Sequence, residues 1–408
     1  MAKVIEVSGF LCSRYEKTSA IRLARGSAII NPDNSGFFPD NQLANAMTIA
    51  ANKILRKKII FFYKHTLYKK FIKYSFIKLF CNDMKNILIT GASGYIGSCL
   101  FHYLQGDKYN IYGLDKKITN NKKIFLCNLT NTNKLEKIIK IIKPEIIIHL
   151  AAQSLVDETI NKKKYYVNNV EATKSLLDVM NKYSIKNLIF SSTAAVYNYK
   201  DTKLNETDPI NPKSNYAKTK LNCEKKIISN KKINSIIFRF FNVCSALTKP
   251  KLIGELHNPE THLIPTVTYK AKLKKKIYIY GDDFETRDGS CVRDYVHIED
   301  ICIAIKSALD FLVNHKKSQI FNIGSSDGFS NFEILNAVKE SVNENLNYQI
   351  VGRRAGDAAS LVCNSSKARK LLKCKFVKSN LKTIINDEFK WIEFLLTQKK
   401  KRYFKNYL

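Results

Sequence analysis

The sequence is poor in the features that mark fibrous, secreted or disulfide-bonded proteins. Only 15 Gly and 8 Pro occur among 408 residues, which excludes collagen-like and Pro-rich chains. The ten cysteines include no CxxC pair, and no group of Cys and His has the spacing of a zinc site. These absences predict free thiols in a reducing, cytoplasmic compartment and no bound metal. Hydrophobic residues make up 45% of the chain, too many for a chain that is disordered throughout.

Acidic residues are also scarce, since 35 Asp and Glu stand against 68 Lys and Arg and give a formal net charge of +33. A charge of this size raises the question of a nucleic-acid partner. The lysines, however, are spread among Asn and Ile along most of the chain instead of forming one patch. We therefore expect a solvated surface that attracts phosphate groups and no nucleic-acid partner. A basic nucleic-acid binder stays as an alternative.

The first 83 residues differ in composition from the rest. Residues 1–50 hold few lysines, whereas residues 53–80 alternate lysine with apolar or aromatic residues. The uncharged stretches are too short to cross a bilayer, so stable membrane insertion is not expected. A poorly defined basic extension, a start codon placed too far upstream and a basic amphipathic helix on a membrane surface all remain open. We predict three parts: residues 1–83 as this extension, 84–245 and 246–408.

From Met84 onward, short apolar runs alternate with amphipathic segments. This order predicts an α/β fold with a doubly wound parallel sheet, and apolar runs without alternation fit strands covered on both faces. After about residue 246 the pattern loosens, which indicates a smaller C-terminal α/β lobe with some segments returning to the sheet. The predicted strands are 85–90, 110–115, 124–129, 144–150, 188–192 and 236–239, and helices are predicted at 134–142 and 169–183.

A glycine-rich turn follows the first predicted strand and opens the first helix. Its glycines are Gly91, Gly94 and Gly97, and Asp115 ends the next strand 18 residues after Gly97. Such a turn lets the backbone approach a pyrophosphate at a helix N-terminus. The Asp115 carboxylate would accept hydrogen bonds from an adenosine ribose and repel a 2′-phosphate. These residues predict a Rossmann-type site for NAD.

A second constellation has the chemistry of proton transfer. Tyr216 and Lys220 are four residues apart, so on a helix they share a face, and a neighbouring ammonium is expected to lower the tyrosine pKa. The fifth strand ends in Ser191, Ser192 and Thr193, at the sheet edge where ligands bind. Tyr216 would then act as general base and acid beside Thr193. The combination predicts a hydride-transfer site.

With these motifs in place, residues 84 to about 395 resemble the extended short-chain dehydrogenase/reductase family, and within it the UDP-glucose 4-epimerases. The glycine turn and the Tyr216–Lys220 pair carry part of this resemblance. The other segments that match the family's motifs are 149–158, 165–170, 190–197, 239–243, 254–265, 288–297 and 353–357.

The resemblance implies a set of site residues. NAD contacts would come from Gly91, Gly94, Tyr95, Ile96, Gly97, Asp115, Asn128, Leu129, Ala151, Asn168, Ser192, Tyr216, Lys220 and Phe241. Contacts to the UDP-sugar would come from Thr193, Asn242, His262, Leu263, Tyr280, Arg293, Tyr295, Arg354 and Asp357. In this assignment Arg293 and Arg354 hold the diphosphate, and Asp357 holds the nucleoside.

The resemblance also implies the reaction. Tyr216 would remove the proton of the sugar 4-hydroxyl while the C4 hydride passes to tightly bound NAD. The 4-keto sugar would rotate about its link to the diphosphate, and the hydride would return to the other face of the sugar. UDP-galactose and UDP-glucose would interconvert in this way, as in galactose metabolism. Family members are usually homodimers, and the predicted helices 169–183 and 216–228 would form the interface.

Two departures from the family pattern bear on these expectations. The acid expected after the third strand is Asn128, whose amide can still meet the adenine. Leu361 is neither the large nor the small residue that separates sugar specificities in the family, so an epimerase of UDP-N-acetylglucosamine, a UDP-pentose or a UDP-uronate stays as the close alternative.

More distant alternatives are less favoured by the residues. A sugar-nucleotide dehydratase would need an acid pair after Thr193, where this chain has Ala194 and Ala195. A non-enzymatic NAD sensor would usually lack the tyrosine or the lysine, and both are present.

Overall fold

The computed structural model describes residues 84–154, 161–199, 202–257, 260–354 and 356–398. The chain divides into two compact units, residues 1–83 and 84–408, and all described residues belong to the second. The predictions for the basic extension at 1–83 therefore lie outside the described residues, as do residues 155–158, 258–259 and 355 of the quoted motifs.

Seven parallel strands form the central sheet, in the order β11-β6-β5-β4-β1-β2-β3. The predicted α/β fold with a doubly wound parallel sheet is confirmed. The strand of this sheet that comes last in the chain, β11, lies beyond residue 246 and forms one edge of the sheet. The strands are β1 (Lys85–Thr90), β2 (Tyr109–Asp115), β3 (Ile124–Leu126), β4 (Ile146–His149), β5 (Asn187–Thr193), β6 (Asn234–Phe240) and β11 (Gln319–Ile323).

Helices cover both faces of this sheet, and each face has its own apolar cluster. Ile87 and Ile89 pack with the helices at 95–103 and 298–315, whereas Leu88, between them, packs with the helices at 132–142 and 172–182. The described helices are α1 (Tyr95–Tyr103), α2 (Thr132–Ile142), α3 (Lys162–Tyr165), α4 (Ala172–Lys182), α5 (Asn215–Ser229), α6 (Leu263–Lys272), α7 (Ile298–His315), α8 (Asn331–Val342), α9 (Ser366–Leu372) and α10 (Leu381–Thr397). A π-helix, Tyr166–Glu171, joins α3 to α4, and a 3₁₀ turn, Ala194–Val196, follows β5.

Short strands build the remaining lobe beyond the carboxyl edge of the sheet. They are β7 (Asn242–Cys244), β8 (Ile277–Tyr280), β9 (Val292–Arg293), β10 (Tyr295–His297), β12 (Phe329–Ser330), β13 (Tyr348–Val351) and β14 (Ser360–Leu361). A third apolar cluster lies among α6, α8 and α10. Within the described ranges, every helix is too short or too polar to cross a lipid bilayer.

The third strand is shorter than predicted: β3 ends at Leu126 and not at residue 129. The Cys127 N–H still donates to Asp115 O at 2.7 Å, but Asn131 N then donates to Asn128 O at 2.9 Å and closes a turn. The Asn131 side chain accepts from Lys134 N at 3.0 Å and begins α2. Asn side chains stabilise such turns and helix starts, and this local chemistry prevails over the apolar Leu129.

Candidate active site

The glycine turn brings β1, α1 and the loop after β4 into close contact. Gly91 has φ of +73°, and a Cβ there would lie 2.7 Å from Ala151 N. A Cβ at Gly97 would lie 2.0 Å from Gly91 O, so neither position can carry a side chain. Gly94 precedes α1 and has no side chain to cap it, so the first amides of the helix can serve an anion. Ser93 Oγ is buried in this turn and has no hydrogen-bond partner among the described residues.

Asp115 lies beside this turn, at the end of β2. Its Oδ2 accepts from Ser93 N at 2.9 Å and its Oδ1 from Lys117 N at 2.9 Å. A carboxylate has about four acceptor positions, so two remain for ribose hydroxyls. The turn and this acid together fit the pyrophosphate and ribose of a dinucleotide.

The other predicted cofactor residues surround the same edge of the sheet. Tyr95 donates its hydroxyl to Ser245 O at 2.5 Å, and Ala151 N donates to Thr90 Oγ1 at 3.4 Å. Ile96 is half-buried and packs against the apolar cluster that contains residues of α1. Leu129 is buried in the apolar cluster on the opposite face of the sheet. Asn128 is exposed.

Two neighbouring asparagines have different surroundings. Asn168, the predicted cofactor contact, donates to Lys164 O at 2.8 Å and accepts from Lys116 Nζ at 3.3 Å. Asn169 is buried, accepts from Gln153 N at 2.7 Å and donates to Thr219 Oγ1 at 2.9 Å. Asn169 therefore ties the loop after β4 to α5, a role that the sequence did not reveal.

The structure brings the predicted proton-transfer groups together. Ser214 Oγ accepts from Ala217 N at 3.2 Å and begins α5 two residues before Tyr216. Tyr216, the second residue of this helix, lies close enough to the Thr193 side chain for that hydroxyl to lower the pKa of the phenol. The Thr193 hydroxyl accepts from Ala195 N at 3.2 Å. A phenol and a hydroxyl are thus neighbours at the carboxyl edge of β5.

Lys220, one helical turn after Tyr216, is buried, with 2% of its surface exposed. Its Nζ is 4.3 Å from the centre of the Phe190 ring and 3.5 Å from Ser191 Oγ. Burial lowers the pKa of Lys220 to about 8 and raises the pKa of Tyr216 to about 12. The expected lowering of the Tyr216 pKa is therefore wrong for the protein alone, because loss of water around a phenolate outweighs the lowering influence of Thr193.

This buried ammonium gives a test by stability. Replacing Lys220 with Met is expected to raise the free energy of unfolding near pH 7 by about 2 kcal/mol, because the variant has no charge to desolvate. The folded pKa of about 8 lies below the unfolded value of 10.5. The cost of burying the charge is therefore fully present below pH 8 and is lost as the pH rises toward 10.5.

Urea unfolding at about pH 7 and about pH 10 measures this effect. The stability advantage of Lys220→Met over the parent should shrink at the higher pH. Lys218→Met, at an exposed position of the same helix, is the control and should show no such trend. A Lys220→Met variant that is less stable than the parent by the same amount at both pH values contradicts the assignment.

A buried ion pair, Glu224–Arg239, lies next to the strand and the helix that carry Thr193 and Tyr216. Glu224 accepts from Arg239 Nη2 at 2.7 Å and from Arg239 Nε at 3.1 Å, and the two side chains are 1% and 3% exposed. Ser192, a predicted cofactor residue, donates its hydroxyl to Glu224. Arg239 also donates to the Tyr197 hydroxyl at 2.9 Å. The pair joins β5, β6 and α5 and so fixes the spacing of Thr193 and Tyr216.

In the other lobe, the structure places Arg293 beside Asp357. Arg293 Nη2 is 3.3 Å from Asp357 Oδ1, and its Nη1 donates to the carbonyls of Val292 and Ala358 at 2.9 and 2.8 Å. These bonds hold the guanidinium in one orientation at the end of β9. A guanidinium fixed in this way suits phosphate oxygens.

The two adjacent arginines at 353 and 354 differ in their contacts. Arg353 Nε donates to Asp283 Oδ1 at 2.6 Å, and its guanidinium lies 4.1 Å from the Phe284 ring centre. Arg354 is exposed, with its guanidinium 3.8 Å from the Tyr280 ring centre. The predicted substrate residues Arg354 and Tyr280 are thus stacked on each other.

Four further residues named in the sequence lie in or beside the short strands β7, β10 and β14. Phe241 is buried with Ala194 of the 3₁₀ turn, and Leu361 packs against the same cluster. Asn242 is half-buried in β7. Its β10 partner, Tyr295, is only 5% exposed within an apolar cluster, which gives that ring a packing role.

His262 and Leu263 are located at the start of α6. Leu263 packs half-buried on the third apolar cluster. His262 Nδ1 lies 3.0 Å from Glu260 Oε1 and 3.2 Å from Glu255 Oε2. The predicted substrate contact His262 thus faces two carboxylates. This mixed Glu and His segment does not have the spacing of a Cys and His zinc site, so the sequence pattern did not point to it.

Comparisons with known proteins agree with this fold. Residues 87–324 match the NAD dependent epimerase/dehydratase family. The sequence is similar to the UDP-glucose 4-epimerase of Lactobacillus helveticus, with 38% identity over 75% of this chain and 96% of that protein. The structure is similar to a crystal structure of UDP-glucose 4-epimerase at a TM-score of 0.72, with 37% identity over 76% of this chain and 98% of that one. It is also similar to UDP-glucose 4-epimerase from Brucella ovis in complex with NAD, at a TM-score of 0.72 and 31% identity over 76% and 98% of the two chains.

Proposed function

The chain belongs to the NAD dependent epimerase/dehydratase family, and we propose on this premise that it interconverts UDP-glucose and UDP-galactose with bound NAD. The predicted enzyme class, activity and cofactor are confirmed by relatives that are UDP-glucose 4-epimerases and by one solved with NAD. The observation that carries the chemistry is the position of Tyr216 at the start of α5, where Thr193, at the carboxyl end of β5, is close enough to lower the pKa of the phenol.

The residues of the glycine turn fit NAD. Gly91 and Gly97 leave the backbone open to a pyrophosphate, and the uncapped start of α1 offers amide donors. Ser93 Oγ and the remaining acceptor positions of Asp115 are available to the same ligand. Bound oxidised NAD would supply the hydride acceptor and a positive charge that favours the phenolate form of the nearby tyrosine.

Tyr216 would hold and move the proton of the reaction. Its oxygen takes the proton of the sugar 4-hydroxyl as the C4 hydride leaves, and it returns this proton when the hydride comes back. Thr193 lies beside the phenol and would orient the reacting hydroxyl. Lys220 would keep a positive charge one helical turn from Tyr216, in a site from which water is largely excluded.

The nucleotide half of the substrate would be held more tightly than the sugar. We assign the diphosphate to Arg293 and Arg354 and the nucleoside to Asp357, as the family resemblance implies. Charge-assisted hydrogen bonds anchor the UDP, while the apolar wall with Leu361 leaves the sugar free to turn. A firm hold on one end and a loose hold on the other allow the hydride to return to either face.

The full chain with bound NAD tests this function directly. UDP-galactose is supplied, and UDP-glucose formation is followed by a coupled oxidation. We expect turnover with UDP-galactose. A folded, NAD-containing protein that ignores UDP-galactose but converts UDP-N-acetylgalactosamine, a UDP-pentose or a UDP-uronate would move the assignment to that sugar, and no turnover with any of them would contradict an epimerase.

The oligomeric state, the pathway and the cellular compartment are also proposals that follow from the family resemblance. We propose a homodimer formed through the segments around α4 and α5, in galactose metabolism and in the cytoplasm. Tyr166 and Ile228, on these segments, are 48% and 46% exposed, which supports an apolar contact there. Light scattering that gives the mass of one chain would contradict the dimer.

We also retain the division into an NAD-binding part at 84–245 and a UDP-sugar-binding lobe at 246–408. Supporting it, the glycine turn, Asp115 and Tyr216 all precede residue 246, and Arg293, Arg354 and Asp357 all follow it. β11 (Gln319–Ile323) is the segment of the second part that returns to the sheet.

A further inference from the structure

The segment between β7 and α6 gathers two glutamates and two histidines. Glu255, His257, Glu260 and His262 each offer one ligand atom, and these atoms all lie within 4.8 Å of one another. His257 Nδ1 is 2.6 Å from Glu255 Oε1, and His262 Nδ1 is 3.2 Å from Glu255 Oε2. Glu255 is only 4% exposed.

Hydrogen bonds account for only part of this arrangement. Glu260 Oε1 accepts from His262 N at 2.7 Å and pairs with His262 Nδ1 at 3.0 Å. By contrast, Glu255 Oε2, His257 Nδ1 and Glu260 Oε2 are buried, and none of them has a hydrogen-bond partner among the described residues. These three atoms lie near one another and leave lone pairs free for a common ligand. Buried polar atoms without partners are costly, and converging oxygen and nitrogen lone pairs are what a metal ion binds.

The neighbouring helix α10 fixes the cluster and adds a buried carboxyl group. Trp391 Nε1 donates to Glu255 O at 2.9 Å, and a Cβ at Gly254 would lie 2.4 Å from the Trp391 ring. Glu388, on the same helix, is fully buried, and neither of its carboxyl oxygens has a hydrogen-bond partner in the described part of the chain.

We propose that Glu255, His257, Glu260 and His262 bind one divalent transition-metal ion of the Zn²⁺ class. Two imidazole nitrogens and two carboxylate oxygens form a four-ligand set that Zn²⁺ accepts, whereas Mg²⁺ and Ca²⁺ prefer oxygen ligands alone. All four ligands come from the protein, as in a structural site. The ion would hold the loop that ends at Leu263, a predicted nucleotide contact, and it takes no part in hydride transfer. The proposal goes beyond the epimerase function and does not depend on it.

Metal content of the untagged full chain tests the proposal. The protein is stripped with a chelator, titrated with Zn²⁺, passed through a desalting column and analysed by mass spectrometry for metal. We expect one Zn²⁺ per chain, a visible Co²⁺ spectrum of tetrahedral type after substitution, and a rise in the unfolding midpoint of roughly 4 °C with excess Zn²⁺. None of these measurements requires catalytic activity.

Two variants separate this cluster from unspecific metal binding. His257→Ala should weaken Zn²⁺ binding by at least roughly 100-fold, because it removes one of four ligands. His315→Ala is the matched control, since it removes a histidine at the end of α7 outside the cluster. A parent protein that retains no Zn²⁺, or equal binding by the two variants, overturns the proposal. If His257→Ala does not fold, Glu260→Gln, at a half-buried position, takes its place with the same expected loss.

Discussion

Replacing Tyr216 with Phe is expected to lower kcat for UDP-galactose by about 1,000-fold, the range of a lost general acid and base. The substitution removes only the hydroxyl that lies near Thr193 and keeps the ring in place. The KM for UDP-galactose should change little, because the groups assigned to the nucleotide belong to the other lobe. Steady-state kinetics of the NAD-containing full chain measure both parameters.

Tyr109→Phe is the matched control for this experiment. Tyr109 is a buried tyrosine at the start of β2, at the opposite edge of the sheet from Thr193, and its hydroxyl donates to Asp310 at 2.8 Å. This variant should keep kcat within a few-fold of the parent. If Tyr216→Phe retains a kcat close to that of Tyr109→Phe, Tyr216 is not the proton-transfer residue.

Replacing Glu224 with Gln is expected to lower the free energy of unfolding by about 3 kcal/mol, because it leaves the Arg239 guanidinium buried without a counter-charge. The amide keeps the shape of the carboxylate, so the effect reports charge and hydrogen bonding instead of packing. Activity should fall as well, since the pair positions β5, which carries Thr193, against α5, which carries Tyr216. Urea unfolding and steady-state kinetics on the same sample give the two readouts.

The control is an ion pair of similar distance on the surface. Lys182 Nζ lies 2.8 Å from Glu136 Oε1, and the lysine side chain is 59% exposed. Glu136→Gln should cost much less stability than Glu224→Gln, because water already screens this pair. If the two variants lower the free energy of unfolding equally, the buried Glu224–Arg239 pair contributes no more to stability than the exposed pair.

Local spacing was enough to predict the framework of the site. The strand before Gly91 and the acid at Asp115 predict a dinucleotide turn, because both features lie within one βαβ unit. The Tyr216–Lys220 pair lies on one helix, as its four-residue spacing requires. The alternation of apolar strands and helices predicted a parallel sheet, which the structure has.

Local spacing failed where burial decides the chemistry. It predicted a lowered pKa for Tyr216, but the surrounding protein removes water and raises that pKa to about 12. It did not point to the Glu224–Arg239 pair, whose partners come from a helix and a separate strand. It also could not place β11 at the edge of the sheet beside β6, since that strand follows the long irregular part of the chain.

The sequence by itself determined the class of fold, the dinucleotide turn and the candidates for the proton-transfer residues, because each depends on residues close together along the chain. Only the tertiary structure decided which polar groups are buried, which of them are paired and where four Glu and His side chains converge before α6. These properties depend on desolvation and on contacts between distant segments. No periodicity in a single segment encodes them.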